Sequence, residues 1–193
     1  MYYKSNNFFH HRVTEDTENS FRMTGFVQIY TGDGKGKTTA ALGLALRAAG
    51  AGLRVFIAQF LKCQTSSEIK SLLRLAPEIT VRQYGRPSFI NGEPTPEDIA
   101  AAERGLNEAH DALLSGKYDV LILDEINIAL HFRILPVESI LSFIDEKPEG
   151  VELILTGRNA DPRLIDRADL VTEMRDVKHY FKKGIPARPG IEE

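Results

Sequence analysis

From Phe26 onward, apolar runs alternate with stretches of helical spacing. "FVQIYT" (26–31) is a short strand-like run followed by glycine, and the alanine- and leucine-rich segment 37–49 predicts a helix that "GAG" (50–52) stops. "RVFIAQFL" (54–61) predicts the second strand, 67–76 a helix running up to Pro77, and "ITVRQY" (79–84) a weaker, alternating strand. Breakers throughout "GRPSFINGEP" (85–94) predict a loop. The helix over 95–116 opens with Thr95 as N-cap, Pro96 at its first position and Asp98 three residues on. "YDVLILDE" (118–125) is a nearly continuous apolar run, the pattern of a strand buried on both faces. An amphipathic helix (136–146), a buried strand (151–157), a short Asp-Pro-started helix (161–168) and a last strand (169–177) complete the series. Strands alternating with helices predict an α/β domain with a parallel sheet.

Residues 1–23 fit none of this periodicity. They read as an extension, disordered or an arm over a ligand or second subunit, because Tyr2, Tyr3, Phe8, Phe9 and Phe21 exceed what a solvated tail needs. Residues 24–193 read as one domain, without repeats or a low-complexity linker. Composition narrows the picture further. A net charge of −3 gives no global field for nucleic acid. The single cysteine, Cys63, excludes an internal disulfide and a cysteine-built zinc site, and fits a cytoplasmic setting. No run of about 18 apolar residues would span a membrane.

The chemistry starts at "TGDGKGKTT" (31–39), between a predicted strand and a predicted helix. A phosphate-binding loop needs successive backbone N–H groups turned toward oxygen, which Gly32, Gly34 and Gly36 permit around Asp33 and Lys35. Lys37 would place an exposed point charge on the phosphates, Thr38 would offer its hydroxyl to Mg²⁺, and Thr39 follows it into the helix. The usual pattern G-x-x-x-x-G-K-S/T has glycine where Thr31 stands. "VLILDE" brings Asp124 and Glu125 to the carboxyl edge of the sheet, where they can hold Mg²⁺ directly or through its waters. The fold expected is therefore P-loop NTPase-like, with a mostly parallel central sheet of about six strands and helices on both faces. No Asn-Lys-x-Asp sequence marks guanine, so ATP is the expected nucleotide. Glu125 or Gln59 could position a water or serve an acceptor, so chemistry at the γ-phosphate stays open at this point.

Beyond the loop the chain resembles the ATP:corrinoid adenosyltransferases. The likeness rests on "GDGKGKTTAALGLALRAAG" (32–50), "VFIAQFLK" (55–62), "YDVLILDEINIAL" (118–130), "VELILTGRNADPRLIDRADLVTEM" (151–174) and "VKH" (177–179). Threonine at the first loop position is part of that resemblance. It implies that a corrinoid reduced to Co(I) attacks the 5′-carbon of ATP and releases triphosphate, in adenosylcobalamin synthesis or salvage. It also implies ATP held in the opposite sense to ordinary P-loop hydrolases, a homodimer, and an electron-donating, flavodoxin-like reductase. Carried over by position, Lys37 and Glu125 would be catalytic, with Thr38 and Glu125 as Mg²⁺ ligands beside Asp124. Asp33 would meet the ribose, and Arg47 would be a further nucleotide contact. The resemblance also implies aromatic crowding of the lower corrin face from the loop after the third strand. This chain has no tryptophan and offers Tyr84 and Phe89 there. The five histidines, His10, His11, His110, His131 and His179, read as surface or hydrogen-bonded structure rather than cobalt ligands. Two rival readings are a P-loop ATPase or kinase, which would release ADP, and an ATP-dependent module that delivers the finished cofactor.

Overall fold

A computed structural model describes residues 24–64, 66–86 and 93–192. The N-terminal extension and Phe89 lie outside the described residues. The strands are β1 (Val27–Thr31), β2 (Val55–Phe60), β3 (Ile79–Tyr84), β4 (Val120–Asp124), β5 (Glu152–Thr156) and β6 (Leu170–Glu173). They form one parallel sheet in the order β3-β2-β4-β5-β1-β6. The helices are α1 (Lys37–Gly50), α2 (Ser67–Leu72), α3 (Pro96–Leu114), α4 (Ile126–His131), α5 (Val137–Asp145) and α6 (Pro162–Ile165). No helix among the described residues is long and apolar enough to cross a membrane.

The sheet is covered on both faces, and β4 shows how. All five of its residues are buried, and alternate side chains serve opposite cores. Leu121 and Leu123 join α3, α4 and α5 through residues such as Leu113, Ile126 and Phe143. Val120 and Ile122 join α1 and α2 through Ala41, Ala45, Ile69 and Leu72. The alanines matter for the site. With Ala41 and Ala45 fully buried against the strands, α1 lies close on the sheet and its first turn sits beside the end of β4.

Two elements differ from expectation. Helix α4 starts directly after β4, because Glu125 takes a left-handed conformation (φ 62°) and turns the chain out of the sheet within one residue. Strand β6 ends at Glu173 rather than running to 177. Beyond it the Met174 N–H still donates to the Thr31 carbonyl (2.8 Å), but the Met174 carbonyl then accepts from the Gly34 N–H (2.6 Å), which diverts the chain across the loop after β1. A 3₁₀ turn (Tyr180–Lys183) follows in the tail.

The start of α3 is tied to Arg86, just past β3. Thr95 and Asp98 form a reciprocal capping box, with Pro96 in the first turn. The Arg86 guanidinium donates to both Asp98 oxygens, at 2.7 and 2.8 Å. This fork and the Thr95 donors hold the Asp98 carboxyl at about 2, against an ordinary 3.8. Asp98→Ala should therefore destabilise the fold by about 2 kcal/mol, through the lost cap and charged hydrogen bonds. Because folding lowers this pKa, the contribution is present above pH 3.8 and lost as pH falls toward about 2. Urea unfolding of both proteins between pH 7 and pH 2 should show the two curves converging at the acid end.

Candidate active site

The loop between β1 and α1 is shaped by two backbone demands. Gly32 (φ 91°) and Gly36 (φ 122°) occupy conformations that disfavour a side chain, and a Cβ on Gly32 would come within 2.4 Å of the Met174 carbonyl oxygen. Thr31 faces neither demand. It is the last residue of β1, paired in register with Glu173, and its buried hydroxyl accepts from the Ala160 N–H at 3.3 Å. Threonine is thus accommodated where the common pattern has glycine.

Lys37 corrects the expectation of an exposed side chain: only 8% of it is accessible. Its ammonium folds back on the loop, donating to the carbonyls of Gly32 (2.6 Å) and Gly34 (2.8 Å). Burial depresses its pKa below the ordinary lysine value, against the opposing pull of Glu125. Lys35 is exposed and turns to the tail, donating to the Ile191 carbonyl at 2.7 Å with Glu192 3.7 Å away.

Asp124, at the carboxyl end of β4, is fully buried and receives four side-chain donors. One oxygen accepts from the hydroxyls of Thr38 (2.8 Å) and Thr156 (2.7 Å). The other accepts from the Gln59 amide (3.0 Å) and the Lys62 ammonium (2.9 Å). Burial alone would raise this carboxyl, but the Lys62 charge and the hydroxyl donors outweigh it and hold the pKa below its ordinary value. The four acceptor positions of a carboxylate are then all used. Glu125 contrasts with it. Its N–H donates to Thr156 Oγ1 at 3.0 Å, while burial and then the Asp124 charge raise its carboxyl above the ordinary range.

Lys37, Lys62, Thr38 and Glu125 line a cavity of about 1470 Å³. That exceeds the ~300–1,000 Å³ of a pocket for one small ligand. Asp33, Gly34, Lys35, Gly36, Lys37, Thr38, Thr39 and Glu125 all line it, while Gly32 holds the loop from behind. Asp124 stands beneath it, reached through Thr38. Arg47 is exposed on α1 outside the cavity lining. Tyr84 is a core residue, its hydroxyl on Glu108 and its ring on Phe60. His131 and His179 also line the cavity. His179 Nδ1 accepts from the Phe181 N–H.

No local sequence motif marks Lys62, Thr156 or Arg158. The signal available for Lys62 was its place just past β2, whose Gln59 pairs in register with Asp124. Thr156 ends β5, and Arg158 follows it into the cavity wall. Among the described residues, no group of three or more His, Cys, Asp or Glu could hold a metal by itself. A cation here would take a few protein oxygens and complete its shell from phosphate and water, as Mg²⁺ does.

Comparison with known proteins fits this site. The family model described as "ATP:corrinoid adenosyltransferase BtuR/CobO/CobP" matches residues 23–192. The corrinoid adenosyltransferase of Pseudomonas aeruginosa is 36% identical over 169 residues, covering 87% of this chain and 83% of its own. That of Escherichia coli strain K12 is 34% identical over 169 residues, covering 87% and 85%. In fold alone, the chain is similar to a KaiC-like protein of Pyrococcus horikoshii, with TM-score 0.52 and 20% identity over 78% of this chain and 73% of that one. With a match spanning every described residue, the chain belongs to the ATP:corrinoid adenosyltransferase family.

Proposed function

We propose that the protein transfers the 5′-deoxyadenosyl group of ATP to the Co(I) of a reduced corrinoid. The observation that carries this reading is the family match over residues 23–192, lying on a phosphate loop that opens into a cavity large enough for two substrates. The cobalt electron pair forms the Co–C5′ bond, and the C5′–O bond breaks with its pair leaving on the triphosphate. No protein nucleophile is needed, because the corrinoid supplies it. The protein's task is to align C5′ with the cobalt and to neutralise charge growing on the leaving group.

Lys37 and the loop N–H groups take the triphosphate. On binding, its oxygens replace the Gly32 and Gly34 carbonyls as acceptors for the Lys37 ammonium. Thr38 and Glu125 fit Mg²⁺ as direct ligands, for both face the cavity. Asp124, saturated by its four donors, fits an orienting role through Thr38. A bound Mg²⁺ would supply further neutralisation of the leaving triphosphate. Asp33, exposed on the cavity rim, suits a ribose hydroxyl. The reaction consumes Co(I), so an electron-donating reductase, flavodoxin-like in the simplest case, must act before it.

Product identity tests the reading. Anaerobic incubation with Mg-ATP and chemically reduced cobalamin should give light-sensitive adenosylcobalamin and one triphosphate per corrinoid. ADP and phosphate beside unchanged corrinoid would overturn it in favour of γ-phosphate chemistry. Lys37→Ala should lower kcat/KM for ATP at least about a hundredfold, or about 2.7 kcal/mol. Its circular dichroism should stay native, and near-normal turnover would exclude the phosphate role. Glu125→Gln and Asp124→Asn should separate the two carboxylates. Glu125→Gln should raise the Mg²⁺ concentration for half-maximal activity about tenfold with stability little changed. Asp124→Asn should cost about 3 kcal/mol of stability in urea unfolding, because an amide NH₂ in place of one acceptor oxygen sets a donor against two of the four buried donors.

A further inference from the structure

The cations on the cavity wall are not equally free. Lys35 is turned to the tail at Ile191 and Glu192, and Lys182 is paired with Asp176 at 2.6 Å. Lys62 comes from another direction. It follows β2, two strands beyond β5 and three beyond the β1 loop in the sheet order, and reaches the same cavity. Its ammonium lies 2.9 Å from Asp124, yet its side chain stays 33% accessible while that of Asp124 is fully enclosed. Burial alone would lower its pKa; the Asp124 charge and hydrogen bond raise it, so it enters any binding event charged.

A counter-ion for Asp124 alone would need no opening to the cavity. Asp124 takes one of the ammonium's three N–H groups and sits on the side away from solvent. Glu125 and Glu68, which also act on the Lys62 charge, line the same wall. The loop lysines enter the cavity from the β1 side and Arg158 from the end of β5, whereas Lys62 enters it from the β2 side.

We propose that Lys62 is a substrate-binding residue that bridges Asp124 and the triphosphate, clamping the leaving group from the β2 side of the cavity. The inference rests on the adenosyl-transfer reading for the identity of the leaving group. Its physical content is narrower: a second, non-loop ammonium that binds a linear polyphosphate. Asp124 fixes the near end of that ammonium, so little side-chain freedom is lost when phosphate binds, and the contact discriminates a long anion from a single phosphate.

Binding of inorganic tripolyphosphate, followed calorimetrically in excess chelator so that no divalent cation takes part, tests the proposal directly. The full chain should bind it, Lys62→Met should bind at least about tenfold more weakly, and Lys62→Arg should recover part of the loss. Orthophosphate binding should change less than tripolyphosphate binding. Lys62→Met also removes the counter-ion of a buried carboxylate, so the comparison is repeated in an Asp124→Asn background, where that need is gone. If Lys62 only served Asp124, Asp124→Asn with and without Lys62→Met would bind tripolyphosphate equally, and the proposal would be overturned. A tenfold difference persisting there supports it. Failure of the unmodified protein to bind tripolyphosphate would overturn the phosphate-loop assignment together with the clamp. Tight binding unaffected by Lys62→Met would overturn the clamp alone and leave the adenosyl-transfer reading standing.

Discussion

A single buried carboxylate ties the site to the fold. Asp124 has no contact with solvent, and an ionised group in that position is tolerable only if every acceptor position is filled. Its donors come from Thr38 on α1, Gln59 and Lys62 at the end of β2, and Thr156 at the end of β5. Each donor can reach it only if the strands keep their register, since Gln59 pairs with Asp124 and Leu123 with Leu155. The parallel sheet and the polar cluster at its carboxyl edge therefore specify one another. A slip of one residue in β4 would turn Asp124 away from these donors and expose the wrong side chains to both cores.

The same cluster divides labour between adjacent acids. Asp124 points down into the donors, whereas Glu125, turned by its left-handed backbone, faces the cavity and contributes only its N–H to Thr156. Two neighbouring residues on a continuing strand would point to opposite faces of the sheet. The turn at Glu125 ends the strand at once and starts α4, so both carboxylates stay at the sheet edge while only one is spent on structure. A left-handed non-glycine residue costs of order 1–3 kcal/mol, and its location at this edge ties the strain to the site.

How much of this could be read from residues alone follows from how local each cause is. The glycine spacing, the buried run "VLILD" and the α3 cap are local patterns, and each appears where its pattern predicts. Helix α4 was hidden, because "EINIAL" continues an apolar run and nothing local announces a left-handed glutamate. Strand β6 stops early for a tertiary reason, the hydrogen bond between Met174 and Gly34. Lys62, Thr156 and Arg158 reach the site through strand order, which brings partners of Asp124 between 32 and 86 residues away in the chain to one edge, and no spacing rule encodes that. Lys37 was expected in solvent, since a loop lysine ordinarily is. Its burial depends on carbonyls that face inward only because the loop has already closed.

That closure bears on how the loop selects its ligand. With its ammonium shared between two carbonyls, Lys37 keeps its hydrogen bonds in the free protein although almost no water can reach it. A weak or singly charged anion would gain little by displacing those carbonyls, since it exchanges one set of hydrogen bonds for another. Under the proposed reading a polyphosphate would gain more, because it would meet the ammonium together with the loop and the N-terminal end of α1. A preference for a long anion would then come from cooperation among donors that are individually modest. For a reaction whose leaving group is a whole triphosphate, donors spread along its length are what the developing charge would require, and under the proposed reading Lys37 and the loop N–H groups other than that of Gly34, which the Met174 carbonyl already holds, would supply them.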